Sequence, residues 1–318
     1  MISIVNDLRQ CKRLWKSLIP PQSLFDLWEV RACFQKAYGY CPCFIVAEGP
    51  YGPKGLLALS HIEDYRYWGS FPGETFKGKT WLEQNRIISD YPATKTALLE
   101  GCPASVHLRY LDEHSAAQYA QTTLDEVGYL FRPADYDYDF NRYMQTFSGK
   151  RRKSFRQELD AFEGRGVTYR YNEDRDIDRV FELNMQTFGK NSYFSDDRFL
   201  AAFLELLWYL RTQNMLRVTT VLVAGQLAAV DVGALYRGVY TVLAGGTNPD
   251  LPGIAKVINF HHLEWACQEH LAQVDFLCGD FGWKQRFHLT ARPLYQLRIG
   301  VMTTEEPPCH SGELSHAG

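Results

Sequence analysis

The chain has 318 residues, and its 34 lysines and arginines against 37 aspartates and glutamates give a net charge of −3. A hydrophobic fraction of 46% can build a folded core, which excludes disorder as the main state. The near balance of charge excludes a globally basic nucleic-acid binder, although a local basic patch remains compatible with it.

The sequence predicts neither an export signal nor a membrane span. Residues 1–21 contain no long apolar run, so no signal peptide is expected. No stretch approaches the ~20 apolar residues of a membrane helix. Eight cysteines without a Cys-x-x-Cys pair predict neither a disulfide framework nor a zinc site. These features predict a cytoplasmic protein without a membrane span.

In the first half, apolar residues at helical spacing alternate with short apolar runs that are bounded by glycine and proline. The predicted helices are 4–18, 22–38, 91–100 and 112–128, and the predicted strands are 44–47, 55–63, 65–71 and 104–111. An acidic, aromatic segment at 132–139 indicates a domain boundary.

Signals for helix starts and tight turns are clearer in the second half. Ser195 followed by two aspartates is typical of a helix start. Tight turns at Ala224-Gly225 and Arg237-Gly238 predict a three-stranded meander. The predicted helices are 139–164, 175–188, 195–213 and 253–271, and the predicted strands are 167–171, 216–223, 226–236, 239–245, 273–278 and 292–301.

Both halves contain a strand, a glycine turn, a second strand and an aromatic-rich strand, preceded by helices. This similarity predicts an old duplication of one α/β (α+β) unit. We therefore predict two tandem domains, 1–134 and 135–304, each with a mixed, largely antiparallel sheet flanked by helices. A disordered tail is expected at 305–318.

Several segments together carry a family likeness. They are the basic helix and strand at 148–171, the meander at 216–246, the 248–255 stretch, the 274–287 stretch and, in the first half, residues 28–34. In this order they resemble the GNAT acyltransferase superfamily, in its tandem-domain branch of cellulose- and exopolysaccharide-associated acetyltransferase-like chains. That branch is related to the FemABX aminoacyl-tRNA-dependent ligases. The resemblance implies two tandem GNAT-like domains, the first degenerate, and acyl transfer to an amine without a metal.

The resemblance also implies where the acyl donor binds. A helix N-terminus offers free amides to phosphate, and Gly253 and Ala255 match the end of the superfamily's pyrophosphate loop. Asp250 departs from that pattern, since its carboxylate would repel pyrophosphate, and Lys256 could offset it. The alternatives are a simple turn glycine at 253 and a simple bulge at 244–246. The expected donor-binding residues are Ala244, Gly245, Gly253, Ile254, Ala255 and Lys256.

Three charged residues are candidates for catalysis. Asp231 lies in an apolar strand, where a buried carboxylate needs a partner, so it could be the base or could anchor the amine. A solvent-facing position is the alternative. Asp280 follows a strand end, where α/β sites form, and could pair with Lys284. In related chains a tyrosine often precedes this lysine, but here Trp283 does, which leaves the general acid open among His288, Tyr236, Tyr240 and Tyr295.

The substrate side is expected to involve a basic helix. Arg152 and Arg156 lie on one face of it and could contact a CoA phosphate, a sugar-phosphate acceptor or tRNA. An ordinary solvated helix start is the alternative. Tyr240 and Trp283 complete the expected substrate-binding set.

These features predict an N-acyltransferase that moves an acyl group, expected to be acetyl, from acyl-CoA (acetyl-CoA) to an amine held between two lobes. The acceptor is expected to be a small molecule or a polysaccharide-precursor amine. One alternative is a FemABX-like ligase, in which the basic helix binds tRNA. The other is a catalytically inactive GNAT-like binding module, which Asp250 and Trp283 would both suit.

Overall fold

The computed structural model describes residues 1–89, 91–102, 105–117, 119–279 and 282–300. The strands are β1 (Ile2–Val5), β2 (Pro42–Gly49), β3 (Gly52–Ile62), β4 (Tyr67–Ser70), β5 (Ile88–Ser89), β6 (Val106–Leu111), β7 (Thr123–Phe131), β8 (Val167–Tyr171), β9 (Leu216–Val223), β10 (Gln226–Tyr236), β11 (Val239–Thr247), β12 (Gln273–Cys278) and β13 (Thr290–Ile299). The α-helices are α1 (Leu8–Leu18), α2 (Trp28–Tyr38), α3 (Pro92–Glu100), α4 (Glu113–Ala116), α5 (Phe140–Gln145), α6 (Gly149–Glu163), α7 (Ile177–Phe188), α8 (Asp197–Thr212), α9 (Ile254–Gln268) and α10 (Trp283–Arg286).

The described strands form one sheet in the order β1-β2-β3-β4-β6-β13-β7-β12-β11-β10-β9-β8, with β5 paired to β3. Neighbouring strands are antiparallel except for two parallel pairs, β4 with β6 and β11 with β12. The predicted mixed, largely antiparallel sheet flanked by helices is therefore confirmed. Each half contributes one of the two parallel pairs, as a duplicated unit would.

Strands β7 and β13 cross between the halves. Strand β7 follows the first parallel pair in the chain but pairs with β12 of the second half. Strand β13 ends the described chain but pairs with β6 of the first half, and β7 and β13 also pair with each other. The two halves are thus joined through shared strands. The boundaries at 134 and 135 stay a prediction.

Some sequence-based elements differ from the structure. The helix expected at 112–128 is wrong, because only Glu113–Ala116 is helical and Thr123–Phe131 is a strand. This strand, β7, pairs with β12 on one side and with β13 on the other. Pairing with strands far along the chain overrides the weak local preference of these residues for helix. Ile4 and Val5, which the predicted helix 4–18 includes, belong instead to edge strand β1, which pairs with β2. The tail expected to be disordered lies outside the described residues.

Helices on both faces of the second half hold the sheet around the predicted site. On one face, α7 and α8 pack through Leu183 and Phe203 against Val230 and Val232 of β10. On the other face, the apolar residues of α6 and α9 cover β9 and β10, with Phe162, Ile254, Val257, Val221 and Ala229 in one cluster. Burying such a side chain contributes roughly 1.5–3 kcal/mol, so these contacts hold both helices on the sheet. Within the described ranges, no helix is both long and apolar enough to cross a membrane.

Candidate functional site

Strands β11 and β12 are paired at one end and separate beyond it. They pair only through residues 239–241 and 273–275. Strand β11 continues to Thr247 with β10 on its other side, and its register shifts at Leu243. Such shifts bend a strand and are common beside functional sites. The described residues place no strand against the β12 side of β11 beyond Thr241.

The start of α9 lies at the end of this same strand. Gly253 precedes the helix with a φ of 89°, a left-handed conformation that favours glycine. No side chain caps the helix, and both Gly253 and Ala255 are exposed, whereas Ile254 is buried and anchors the first turn. The first amides of α9 are therefore not covered by a capping side chain, which is the arrangement that binds anions.

The charged groups beside the start of α9 are arranged unfavourably for binding an anion. Asp250 is exposed, and its backbone N–H donates to Asn248 Oδ1 at 2.9 Å, which stabilises the turn. The Lys256 ammonium forms an ion pair with Glu158 of α6. The cation expected to offset Asp250 therefore already has a carboxylate partner.

Asp231 is buried between the sheet and α9. It is 6% exposed, and its Oδ2 lies 2.9 Å from Nε2 of the fully buried His262 on α9. Its partner across the strands is Gly245 of β11, where an added Cβ would collide with Asp231 Oδ1. The carboxylate therefore lies directly against the backbone of β11.

Two more polar side chains, Tyr240 and Thr219, lie beside this pair. Tyr240 is fully buried, and burial, helped by the Asp231 charge, raises the pKa of its phenol. Among the described residues, no hydrogen-bond partner is present for Tyr240 Oη, Thr219 Oγ1 or His262 Nδ1. The structure thus places Tyr240 beneath α9 rather than on a surface open to a substrate.

The end of β12 is held by Lys284. This residue is 2% exposed, and its ammonium donates to the carbonyls of Phe276, Leu277 and Cys278 at 2.8, 3.0 and 3.0 Å. Burial lowers the pKa of Lys284. These contacts give Lys284 a structural role at the strand end. Trp283 packs edge-on against Phe276 and Phe287, whereas Asp280 lies outside the described residues.

The basic helix α6 runs along α9. Its C-terminal Phe162 lies near Gly253, and its Phe155 packs on Phe260. Lys150, twelve residues before Phe162, is then about 18 Å from Gly253 along the helix axis. Arg152 donates to the carbonyls of Gln145 and Phe147 at 3.2 and 2.6 Å and so stabilises the α5–α6 turn. Of the two expected arginines, Arg156 is exposed.

Two polar side chains that contact β11 were not predicted from the sequence. Asn184 of α7 donates from Nδ2 to the carbonyl of Gly245 at 3.1 Å, and Ser192 donates to Asn184 Oδ1 at 2.7 Å. An added Cβ at Gly246 would lie 2.6 Å from Leu183 Cβ, so α7 contacts β11 closely. The two consecutive glycines in β11 are the sequence signal that another part of the chain or a ligand lies close to this backbone.

A segment of the first half also reaches this region. Glu83, 1% exposed, accepts hydrogen bonds from the Cys278 backbone N–H at 2.5 Å and from Arg292 at 2.8 Å. Burial raises the pKa of Glu83, and the Arg292 charge opposes that shift. Arg292 also binds Asp275 at 2.6 Å. This buried network joins the first half to the end of β12.

Comparison with known proteins agrees with this architecture. Residues 149–285 match the family model described as an acetyltransferase (GNAT) domain. No curated protein matches the sequence. No group of three or more His, Cys, Asp or Glu residues in the described ranges could hold a metal ion.

Three solved structures have a similar fold. A conserved protein of unknown function from Bacteroides thetaiotaomicron VPI-5482 has 12% identity and a TM-score of 0.59, over 94% of this chain and 100% of that one. FemX has 10% identity and a TM-score of 0.58, over 93% and 97%. A tandem GNAT protein from the clavulanic acid biosynthesis pathway has 9% identity and a TM-score of 0.50, over 95% and 99%. Residues 149–285 thus match a GNAT acetyltransferase domain, and the fold of the whole chain is similar to the folds of FemX and of a tandem GNAT protein, in line with the resemblance found in the sequence.

Proposed function

We propose that the chain is an N-acyltransferase that transfers an acyl group, expected to be acetyl, from acyl-CoA to an amine. The observation that carries this proposal is the separation of β11 from β12 beside an uncapped start of α9. A gap in the sheet and a free helix N-terminus suit the two ends of one ligand, an extended pantetheine and its pyrophosphate.

The donor would contact the chain through backbone groups. The amides of Gly253 and Ala255 would bind the pyrophosphate, whereas the Ile254 N–H already donates to the Leu251 carbonyl at 3.1 Å. The edge of β11 at Ala244 and Gly245 would bind the pantetheine. Asp250 opposes this binding by charge, and the Glu158 pair limits what Lys256 can offset. We therefore expect donor binding to be weaker than the loop backbone alone would allow.

The reaction joins the amine nitrogen to the thioester carbon while the carbon–sulfur bond breaks. The amine loses one proton, and the CoA sulfur gains one, so the products are an amide and CoA thiol. We assign the transient proton to Asp231, whose carboxylate lies against Gly245 and is hydrogen-bonded to His262. A carboxylate placed beside the reacting groups is a suitable acceptor of a proton.

The acceptor is proposed to be a small-molecule or polysaccharide-precursor amine between the lobes. Arg156 remains the candidate contact for an acceptor phosphate, because Arg152 binds backbone carbonyls and Tyr240 is buried. The seven described cysteines are all unpaired, which supports the proposed cytoplasmic location.

A second candidate function is an aminoacyl-tRNA-dependent ligase. Asp250 at the pyrophosphate loop favours it, because such a donor does not require that loop. The exposed Lys150, Lys153 and Arg156 on α6 offer a basic surface away from Gly253. The fold shared with FemX is compatible with both functions.

Two binding measurements separate these functions. If the chain uses acyl-CoA, acetyl-CoA raises its melting temperature, because a ligand that binds only the folded state stabilises it. If it uses charged tRNA, a gel shift on aminoacyl-tRNA appears and weakens with salt, while acyl-CoA has no effect. No response to either ligand would contradict both functions and favour a binding module without activity.

A further inference from the structure

The peptide between Gly245 and Gly246 is held from three directions. On the α9 face, the Asp231 carboxylate lies against Gly245. On the opposite face, α7 lies against Gly246, with the Val180 carbonyl oxygen 3.1 Å from where a Cβ would be. The third contact is the hydrogen bond from Asn184 to the Gly245 carbonyl.

Ser192 sets the orientation of the Asn184 amide. The Ser192 hydroxyl oxygen accepts the backbone N–H of Phe194 at 3.1 Å, so its single hydrogen is available for Asn184 Oδ1 at 2.7 Å. Since Oδ1 faces Ser192, the NH₂ group of Asn184 is the part that faces Gly245. Ser192 is 3% exposed, so water does not compete freely for these bonds.

A peptide between two glycines needs such support. Pairing with Asp231 and Val230 of β10 holds one edge of this peptide, but glycine adopts many backbone conformations and neither residue has a side chain that would limit motion of the other edge. This peptide lies four residues beyond Thr241, the last residue of β11 that pairs with β12. It therefore belongs to the part of β11 that the proposed donor would contact.

We propose that Asn184 and Ser192 are positioning residues, which fix the Gly245-Gly246 peptide against the acyl end of the donor. This inference rests on the proposed function. A peptide held in one orientation presents its polar groups to the thioester without reorganisation during the reaction, which favours turnover more than binding. Asn184 acts through the peptide and Ser192 acts through Asn184.

The test compares turnover with donor affinity in purified full-length variants. Asn184→Asp keeps the size of the side chain and an acceptor for Ser192, but it replaces the donor with an oxygen that repels the Gly245 carbonyl. We expect kcat to fall about tenfold or more, as happens when preorganised hydrogen bonds are lost, while the KM for acetyl-CoA stays within about twofold. Thr187→Ala, on the same helix, is the matched control and keeps wild-type kinetics.

Ser192 provides a second arm of the test. Ser192→Ala removes the bond to Asn184 and lowers kcat, whereas Ser192→Thr keeps a hydroxyl and restores it. Equal losses in both variants, or a loss that follows the melting temperature, would show a purely structural role and overturn the inference.

Failure of the proposed function and failure of the positioning role give different results. A wild-type chain that neither binds nor turns over acyl-CoA would overturn the proposed function and this inference together. A wild-type chain that transfers acyl groups, with Asn184→Asp equally active, would overturn this inference alone.

Discussion

Asp231 of β10 and His262 of α9 form a buried hydrogen bond of 2.9 Å between Oδ2 and Nε2. This bond joins α9 to β10, the strand next to β11. The contact thus holds α9 against β10 at the position that pairs with Gly245 of β11.

A substitution at Asp231 can remove its proposed role as proton acceptor while keeping its hydrogen bond to His262. In Asp231→Asn, the side-chain oxygen still accepts from His262, so the chain folds. The proton acceptor is lost, and we expect kcat to fall about 100-fold, a usual effect of removing a general base. Steady-state kinetics and a melting curve measure the two effects. Unchanged kcat would show that Asp231 is not the base.

Gly245 is expected to tolerate no side chain. In Gly245→Ala, the new Cβ would collide with the Asp231 carboxylate, so we expect roughly 1–3 kcal/mol of lost stability from overpacking. Urea denaturation measures this loss. Gly149→Ala, at the open start of α6, is the control and should not destabilise the chain, since alanine is the better helix former. Equal stability of both variants would contradict the close contact at Gly245.

Asp250 is expected to weaken donor binding. Asp250→Gln removes a negative charge beside the α9 start, where such charges contribute about 0.3–1 kcal/mol, so the acetyl-CoA Kd should fall roughly twofold to fivefold. Isothermal titration at low salt measures the Kd. Asp178→Asn, at the start of α7, is the control variant and should leave the Kd unchanged. A higher Kd in Asp250→Gln would mean that this carboxylate contributes to binding.

Acid should destabilise the chain through His107. Burial, with help from nearby arginines, lowers the pKa of His107 to about 4, against an ordinary value of 6.5. Between these values the unfolded chain binds more protons, so the free energy of unfolding decreases as the pH falls from 6.5 to 4. The loss is roughly 2–4 kcal/mol.

His107→Gln should remove this part of the pH dependence, because glutamine does not titrate. Its side chain can still bond to Gln296, which lies 2.9 Å from His107 Nε2. Urea denaturation of both chains at pH 7 and pH 4.5 measures the difference. The same loss of stability in the variant would show that other groups cause it.

The second-half meander was predictable because its signals are local. Strand β9 occupies Leu216–Val223, as the apolar run and the Ala224-Gly225 turn predict. Strand β7 was not predictable, because its pairing with β12 and β13 joins residues more than 140 positions apart. The exchange of β7 and β13 between the halves has no local signal either.

For the residues of the site, the sequence shows which side chains are charged and where they lie along the chain. It does not show in which direction each side chain points. The sequence indicated that a buried Asp231 needs a partner, but nothing in the spacing identified that partner as His262, 31 residues further along the chain. Lys284 was expected as a catalytic candidate that could pair with Asp280, but its ammonium donates to three carbonyls of β12. Asn184 lies 61 residues from Gly245, so no sequence spacing connects them.

The most direct test of the account is isothermal titration of acetyl-CoA into wild type and Ala255→Asp. An aspartate in the first turn favours the helix but places a negative charge where the pyrophosphate would bind. Ala93→Asp, in the first turn of α3, is the matched control. We predict saturable binding to wild type and Ala93→Asp, and at least about tenfold weaker binding to Ala255→Asp, equivalent to about 1.4 kcal/mol. Equal affinity in all three chains, or no binding to wild type, would contradict a donor site at the start of α9.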